Sequence, residues 1–242
     1  MSRIAVASTL ASYKMYPPLA GLFWLDNAER LVDAAGDGAH EVRFFAALEV
    51  DARGQEPFAP LLSRLSELAG EVWWLSLDTG ADRLSTGERL AHICMGRNAI
   101  SEWAMRAGVD WVMHVDSDTR LPDDVLPRLL ELDWPICGAE IPTYCLRGEA
   151  VTHHPTKDTP YPWPVEHYLV QTAGALLVHR ELFRRLRWRT DVERGLTDDP
   201  CYCSDARDLG FPVLVRRDVV GEHWPRSIPA VEYRGHDLAV RR

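Results

Sequence analysis

The residues with the most evident chemistry lie in the stretch His114-Val115-Asp116-Ser117-Asp118, which follows a run of apolar residues. Side chains two residues apart on a strand point the same way, so Asp116 and Asp118 could converge on one site. Adjacent carboxylates repel each other unless a cation lies between them. Hard oxygen ligands suit Mg²⁺ or Mn²⁺ bridging to a diphosphate. Asp-x-Asp pairs are common, and a solvated turn at the end of a strand is the alternative interpretation.

An arginine occurs within the apolar face of the helix predicted before this stretch. At about 100° per residue, one face of that helix carries Leu90, Ile93, Cys94, Arg97, Ser101 and Ala104. An arginine on a buried face needs an anionic partner, because burying an unpaired charge is very costly. Arg97 therefore forms either an internal ion pair or a phosphate clamp at the same sheet edge as Asp116.

A second acidic pair opens a later helix, in Thr197-Asp198-Asp199-Pro200. Thr197 or Asp198 could act as an ordinary N-cap. The alternative is that the pair presents a carboxylate to the site. A carboxylate near another acid and partly desolvated can act as a general base.

His223 follows the last predicted strand and a glycine, in Gly221-Glu222-His223. A single histidine is usually structural. Its place after a strand also allows it to supply a nitrogen ligand to a metal bound at Asp116 and Asp118.

The elements that must position these residues alternate between strand and helix. Strands are predicted at 3–8, 42–50, 71–77, 109–115, 173–179 and 212–215, and helices at 58–68, 87–107, 122–132, 181–186 and 199–209. This alternation predicts an α/β fold with a mainly parallel sheet and helices on both faces. Ligands of such sheets bind at the carboxyl ends of the strands. Residues 140–167, rich in Pro, Tyr, Trp and His, are predicted to form a functional loop.

Composition restricts the class of protein. The 242 residues carry a net charge of −9, and the length and composition suit one globular domain. Residues 1–179 sum to −11 and residues 180–242 to +2, a balance that disfavours non-specific nucleic-acid binding. The arginine cluster at 180, 184, 185, 187 and 189 is either a solvated helix face or an anion site. The chain contains five cysteines without a CxxC pair. No apolar run approaches the ~20 residues of a membrane span, and no signal peptide is recognised. Together with the cysteine pattern, these features predict a cytoplasmic protein with reduced thiols.

Taken in order, these pieces resemble a GT-A type glycosyltransferase, broadly of the family 2 sort. The resemblance covers about residues 1–224, and its motifs are Met95-Gly96-Arg97-Asn98, Asp116-Ser117-Asp118, the glycine-containing strand at 171–178, Thr197-Asp198-Asp199, and Arg207-Asp208-Leu209-Gly210-Phe211 through His223. It implies a single GT-A domain with a nucleotide-sugar half at 1–118 and an acceptor half at 119–242. Similar small stand-alone chains are encoded by bacteria and their phages, so a phage-encoded chain would act in the host cytoplasm.

The resemblance also implies roles for individual residues. Asp116 and Asp118 would bind the donor and, with His223, a divalent cation, Mn²⁺ or Mg²⁺. Asp199 would be the base and Asp198 its catalytic neighbour. Arg97, Gly174 and Asp51 would contact a UDP- or GDP-sugar donor, with Glu49 the alternative to Asp51.

The reaction implied is sugar transfer to an acceptor hydroxyl, and the Thr-Asp-Asp match favours inversion over retention. The acceptor is a glycan, a small metabolite, a protein or a hydroxymethylated DNA base. Two other functions compete with this reading. A nucleotidyltransferase usually has a Gly-rich loop after strand 1, where this chain has Ala5-Val6-Ala7-Ser8-Thr9-Leu10. A non-catalytic carbohydrate-binding module would need none of the paired acids.

Overall fold

The first strand is central to the sheet because its side chains are apolar and small. Ile4, Ala5, Val6 and Ala7 are completely buried, as expected for a strand covered on both faces. The structure is a computed structural model. It describes residues 2–11, 30–31, 40–50, 59–69, 72–78, 86–141, 143–144, 150–151, 155–156, 165–168, 171–191, 193–194 and 196–223.

Strands and helices alternate through the first half of the described chain. The strands are β1 (Ser2–Ala11), β2 (His40–Val50), β3 (Val72–Asp78), β4 (Trp111–His114), β5 (Thr119–Arg120), β6 (Ile136–Glu140), β7 (Thr143–Tyr144), β8 (Ala150–Val151), β9 (Pro155–Thr156), β10 (Val165–Tyr168), β11 (Leu176–His179), β12 (Val213–Val220) and β13 (Glu222–His223). The helices are α1 (Ala59–Ala69), α2 (Thr86–Arg106), α3 (Val125–Leu130), α4 (Arg180–Phe183) and α5 (Asp198–Asp208), with a 3₁₀ turn at Ala173–Ala175.

Nine strands form one mixed sheet in the order β3-β2-β1-β4-β11-β6-β12-β10-β9. The pairs β1–β2, β2–β3, β1–β4 and β6–β12 are parallel. Strands β11 and β10 run opposite to the others, because each pairs antiparallel with both of its neighbours. The carboxyl ends of β1, β4 and β6 therefore lie at one edge, where the amino end of β11 meets them.

Two hydrophobic layers cover the two faces of this sheet. Ile4 and Val6 pack with Leu126 of α3 on one face, whereas Ala5 and Ala7 pack with α2 and α5 on the other. Alternate residues of a strand point to opposite faces, so the apolar run of β1 serves both layers. The α/β prediction, with a mostly parallel sheet and helices on both faces, is confirmed.

Several helices and strands differ from the predicted ones in their limits or were not predicted. The helix expected at 122–132 extends only over Val125–Leu130, and the strand expected at 173–179 begins with a 3₁₀ turn capped by Thr172. Strand β6 carries the mixed sequence Ile-Cys-Gly-Ala-Glu and was not predicted, because its burial depends on neighbours distant in the chain. The aromatic loop prediction at 140–167 falls mostly outside the described residues. The division at residue 118 stays a prediction.

Glycines end the two long helices of the site as predicted. Gly108 follows α2 with φ +67° and Gly210 follows α5 with φ +89°, a left-handed conformation that costs glycine little. Each turn returns the chain to a strand, β4 or β12. None of the helices in the described part of the chain is both long enough and apolar enough to cross a membrane.

Candidate active site

The predicted acidic stretch lies at the carboxyl edge of the sheet, but in a turn rather than on a strand. Strand β4 ends at His114, and the carbonyl of Asp116 accepts the amide of Thr119 at 3.1 Å. The expectation that Asp116 and Asp118 share one face of a strand is therefore wrong. The reason is local: after Val115, whose amide bonds to the Ala7 carbonyl at 2.9 Å, the chain leaves the sheet.

Arg97 joins the two predicted acidic motifs. Its Nη2 donates to Asp116 Oδ1 at 3.2 Å and its Nη1 to Asp199 Oδ1 at 2.9 Å. Nη1 also donates to Asp198. The internal ion pair is thus the alternative that the structure shows for Arg97. A direct contact between Arg97 and a donor diphosphate stays a prediction.

The cluster is largely withdrawn from water and negatively charged overall. Side-chain exposure is 7% for Arg97, 8% for Asp198, 22% for Asp199 and 29% for Asp116. One guanidinium thus faces three carboxylates. Burial lowers the pKa of Arg97, but Asp199, Asp116 and Asp198 together raise it well above its ordinary value, so the arginine stays charged.

Asp199 is a carboxylate of the cluster with a raised pKa. Burial raises its pKa to about 7, against the lowering effect of Arg97 and with added repulsion from Asp198 and Asp116. The amide of Ala173 donates to Asp199 Oδ1 at 3.2 Å. The carboxylate is thus oriented by two donors, and its pKa lies where a base is useful at neutral pH.

Helix α5 presents the acidic pair through its first turn. Thr197 occupies the N-cap position but makes no side-chain cap hydrogen bond, and the Asp198 carboxylate accepts from Arg97 instead. The N-cap prediction is therefore confirmed for the position of Thr197, although its hydroxyl does not cap the helix, and it is wrong for Asp198. The positive end of the helix dipole still favours acids in this turn.

Two glycines bring backbone close to the cluster. A Cβ at Gly174 would lie 3.0 Å from Thr119 Oγ1 and 3.6 Å from Asp116 Oδ2. A Cβ at Gly96 would lie 3.0 Å from Thr9 Cγ2, so the absence of a side chain allows α2 to approach β1 one residue before Arg97. Gly174 thus lies beside Asp116, and its role in donor binding stays a prediction.

An aromatic group beneath Arg97 was not predicted. The Arg97 guanidinium carbon lies 4.6 Å from the centroid of the Trp188 ring, and that ring stacks on Tyr202 at 3.9 Å. His114 meets Trp188 edge-on at 5.2 Å, and burial together with Arg97 lowers its pKa to about 3, so it is neutral at pH 7. Trp188 lies in an arginine-rich segment of the sequence, and nothing in that segment indicated its contact with Arg97.

The remaining predicted residues are only partly located. Backbone pairing between β5 and β13 places His223 opposite Thr119, one residue after Asp118. Asp118 itself is half-buried. Asp51 lies outside the described residues. The structure thus brings together Arg97, Asp116, Asp198, Asp199 and Gly174, with the His223 backbone beside the same turn.

The protein side chains near the turn after β4 could supply only part of the coordination of a hard divalent cation. Asp116 and Asp118 provide carboxylate oxygens, the ligands that Mg²⁺ and Mn²⁺ prefer. Among the residues that the structure describes, no three His, Cys, Asp or Glu side chains group as a metal site. A cation held by one or two carboxylates and completed by substrate phosphates is a usual arrangement for Mg²⁺. The two aspartates are compatible with that arrangement.

The thiols near the site are structural. Cys94, Cys137, Cys201 and Cys203 are buried and unpaired with one another. Burial raises the pKa of Cys94 and of Cys203 to about 12, so both are protonated and inert at neutral pH. The prediction of ordinary buried thiols is confirmed for these four.

The fold is GT-A-like and Rossmann-related, as predicted. TarS from S. aureus in complex with UDP is similar over 93% of this chain and 61% of its own, with 14% identity and a TM-score of 0.55. Galactosyltransferase LgtC gives 14% identity over 96% of this chain and 93% of its own, with a TM-score of 0.46. The nucleoside-diphosphate-sugar pyrophosphorylase from Vibrio cholerae RC9 gives 13% identity over 88% of this chain and 91% of its own, with a TM-score of 0.49.

Only the first of these TM-scores is high enough to support a shared fold. No protein-family model matches the chain, and a search of curated protein sequences gives no match.

Proposed function

We propose that the chain is a metal-dependent glycosyltransferase that moves a sugar from a nucleotide-sugar donor to an acceptor hydroxyl with inversion. The observation that carries this proposal is the position of Arg97. It links Asp116, on the donor side, to Asp199, a carboxylate with the properties of a base, through hydrogen bonds of 3.2 and 2.9 Å. The Arg97 guanidinium thus holds an acid on the donor side and a base at the carboxyl edge of a GT-A-like sheet. This arrangement suits a displacement at the anomeric carbon of a sugar.

The reaction requires a proton acceptor beside the attacking oxygen. Asp199 takes the proton of the acceptor hydroxyl while that oxygen bonds to the anomeric carbon from the face opposite the diphosphate. The bond between the anomeric carbon and the diphosphate oxygen breaks, and the nucleoside diphosphate leaves with the electron pair. Asp198, shielded from water and bonded to Arg97, keeps the guanidinium in place.

The donor would be held on the Asp116 side of the cluster. Asp116, Asp118 and His223 would bind the divalent cation, whose charge would neutralise the departing diphosphate. Gly174 allows its backbone to lie against Thr119 and Asp116, because a Cβ there would approach Thr119 Oγ1 at 3.0 Å, and the donor sugar would bind beside this backbone. UDP-sugars are the first donors to test, since TarS binds UDP, and GDP-sugars are the second.

The acceptor is a hydroxyl compound, and the surface charges disfavour DNA. Four arginines of the cluster at 180–189 pair with acids: Arg180 with Asp110, Arg185 with Glu181, Arg187 with Glu102 and Arg189 with Asp205. Paired arginines offer little charge to phosphates. A glycan, a small metabolite or a protein is therefore preferred to a modified DNA base.

Calorimetric titration of UDP- and GDP-sugars, with and without Mn²⁺, tests the donor half of the proposal. We expect saturable binding of at least one donor in Mn²⁺ and its loss in EDTA. An absence of heat with every donor in Mn²⁺ would contradict the proposal. Incubation with nucleoside triphosphates and sugar 1-phosphates separates the nucleotidyltransferase alternative, which releases pyrophosphate.

Inversion is tested on the product. Proton NMR of the glycoside product gives the anomeric configuration of the transferred sugar, which the new glycosidic bond fixes. The proposal predicts the configuration opposite to that of the donor, and retention would exclude Asp199 as the base of a single displacement.

A further inference from the structure

The ring of Trp188 contacts all three elements that carry the ion cluster. Helix α2 contributes the Arg97 guanidinium, whose carbon lies 4.6 Å from the ring centroid. Strand β4, which leads to Asp116, contributes His114 at 5.2 Å. Helix α5, which begins with Asp198 and Asp199, contributes Tyr202 at 3.9 Å, nearly parallel to the indole with an interplanar angle of 11°. One side chain thus lies at the junction of donor-side and base-side elements.

Trp188 is itself fixed on α2 by the residue next to Arg97. The Asn98 Nδ2 donates to the Trp188 carbonyl at 2.9 Å, and the Trp188 amide donates to Asn98 Oδ1 at 2.9 Å. Trp188 lies outside the regular helices and strands, so these two bonds replace those of secondary structure. They fix the Trp188 backbone on α2, and the buried indole contacts both the Arg97 guanidinium and the Tyr202 ring.

An indole at position 188 is not needed merely to fill the space in the core. Trp188 is only 2% exposed, and within the described part of the chain its Nε1 has no hydrogen-bond partner. A leucine or phenylalanine at this site would leave no buried donor unpaired. Indole, however, offers a cation the most favourable aromatic face. The unpaired Nε1 is consistent with a ring that serves the guanidinium.

We propose that Trp188 is a positioning residue that holds the Arg97 guanidinium in the plane from which it reaches both Asp116 and Asp199. The carboxylates attract Arg97 from several directions, and three acids around one cation allow more than one arrangement. The indole face restricts the guanidinium to one of these arrangements. Its effect on turnover rests on the proposed function, whereas its effect on Arg97 does not.

The first experiment observes Arg97 directly. In ¹⁵N-labelled protein, the Arg97 guanidinium signals are assigned by their loss in Arg97→Lys. We expect slow rotation and separate Nη signals in the wild type and in Trp188→Phe, which keeps a ring face. In Trp188→Leu the signals should merge. Asn98→Ala, which keeps the ring but removes its two backbone bonds, should give faster rotation than the wild type.

The second experiment measures turnover of a bound donor, with Trp103→Leu as the matched control. Trp103 is also buried, at 5% exposure, and lies on α2, against Phe45 at 4.7 Å. For equal folded fractions, we expect kcat to fall at least about tenfold in Trp188→Leu, in line with the loss of a desolvated cation–π contact. It should stay within about threefold in Trp188→Phe, by the same estimate, and near the wild type in Trp103→Leu.

The outcomes separate this inference from the proposed function. Separate Nη signals in Trp188→Leu, or in Asn98→Ala if the leucine variant does not fold, would overturn the positioning role whatever the enzyme does. Equal losses of kcat in Trp188→Leu and Trp103→Leu would also overturn it. A wild type that binds and turns over no donor, with Arg97 signals that respond to Trp188 as expected, would refute the proposed function and leave the positioning of Arg97 intact.

Discussion

The Nη1 of Arg97 and the Oδ1 of Asp199 are joined by a hydrogen bond of 2.9 Å, although 102 residues separate them. The same guanidinium reaches Asp116 with its other terminal nitrogen. The pair therefore connects the turn after β4 to the first turn of α5. A buried pair of this kind is costly to break, because each partner would be left as an uncompensated charge.

Removing the cation of this pair should destabilise the protein strongly. In Arg97→Met, three carboxylates lose their buried partner, and we expect the free energy of unfolding at pH 8 to fall by about 3–5 kcal/mol. Urea unfolding followed by circular dichroism measures it. Arg189→Met is the matched control, since Arg189 also makes two bonds to one aspartate, Asp205, but is 48% exposed. Its cost should stay within about 1 kcal/mol, and equal costs for both variants would refute a buried Arg97 cluster.

A methyl group at Gly174 should interfere with the donor and leave the fold intact. The added Cβ would lie 3.0 Å from Thr119 Oγ1 and 3.6 Å from Asp116 Oδ2, so the neighbours must shift by a few tenths of an ångström. We expect a donor KM raised about tenfold, because small displacements in a site are costly. Gly87→Ala is the control, as nothing lies within 4 Å of its Cβ position. An unchanged KM in Gly174→Ala would exclude the donor from this side of Asp116.

The cation-binding role of Asp118 is tested by its removal. Asp118→Ala should abolish the Mn²⁺-dependent part of donor binding measured by calorimetry, because one of two carboxylate ligands is lost. Asp123→Ala removes an exposed acid of the same region that pairs with Arg30 at 2.7 Å and should bind donor as the wild type does. If Asp118→Ala retains the full Mn²⁺ effect, another group binds the cation.

The raised pKa of Asp199 predicts two pH dependences of opposite direction. Protonation inactivates a base, so kcat should fall about tenfold for each pH unit below about 7. Stability should respond the other way. The folded pKa of about 7 exceeds the ordinary value of 3.8, so this group contributes stability below pH 4 that is lost as the pH rises through 7.

The pH dependence of stability is also measured in Asp199→Asn and compared with that of the wild type. The asparagine variant lacks the titrating group, and its stability relative to the wild type should rise between pH 4 and pH 7. A wild-type kcat that is flat down to pH 5, or a constant stability difference, would show that Asp199 is ionised throughout this range.

The fold was predictable where local pattern and burial agree. The apolar run of β1 and the glycines after α2 and α5 encode their elements within a few residues, and they were predicted. Strand β6 was missed because Gly138 and Ala139 carry no strand signal, and only their place between β11 and β12 buries them.

The site was predictable as a set of acids but not as a cluster. Asp116, Asp198 and Asp199 were identified by type and order. Arg97 was identified as a buried arginine that needs an anionic partner. That it joins all three acids depends on the packing of α2 against β1 at Gly96 and on α5 returning to the same edge, which no spacing in the chain encodes. Trp188 could not be found from sequence, since its role depends on three contacts from three separate elements.

The base role of Asp199 is tested by nucleoside diphosphate release from UDP- and GDP-sugars, compared between the wild type and Asp199→Asn. Asparagine keeps an oxygen for Arg97 and for the Ala173 amide, so the variant should fold and bind donor with Mn²⁺ as the wild type does. We expect release by the wild type and a loss of at least about 100-fold in the variant, the usual contribution of a general base. Full turnover by Asp199→Asn, or no release by the wild type from any UDP- or GDP-sugar, would contradict this expectation.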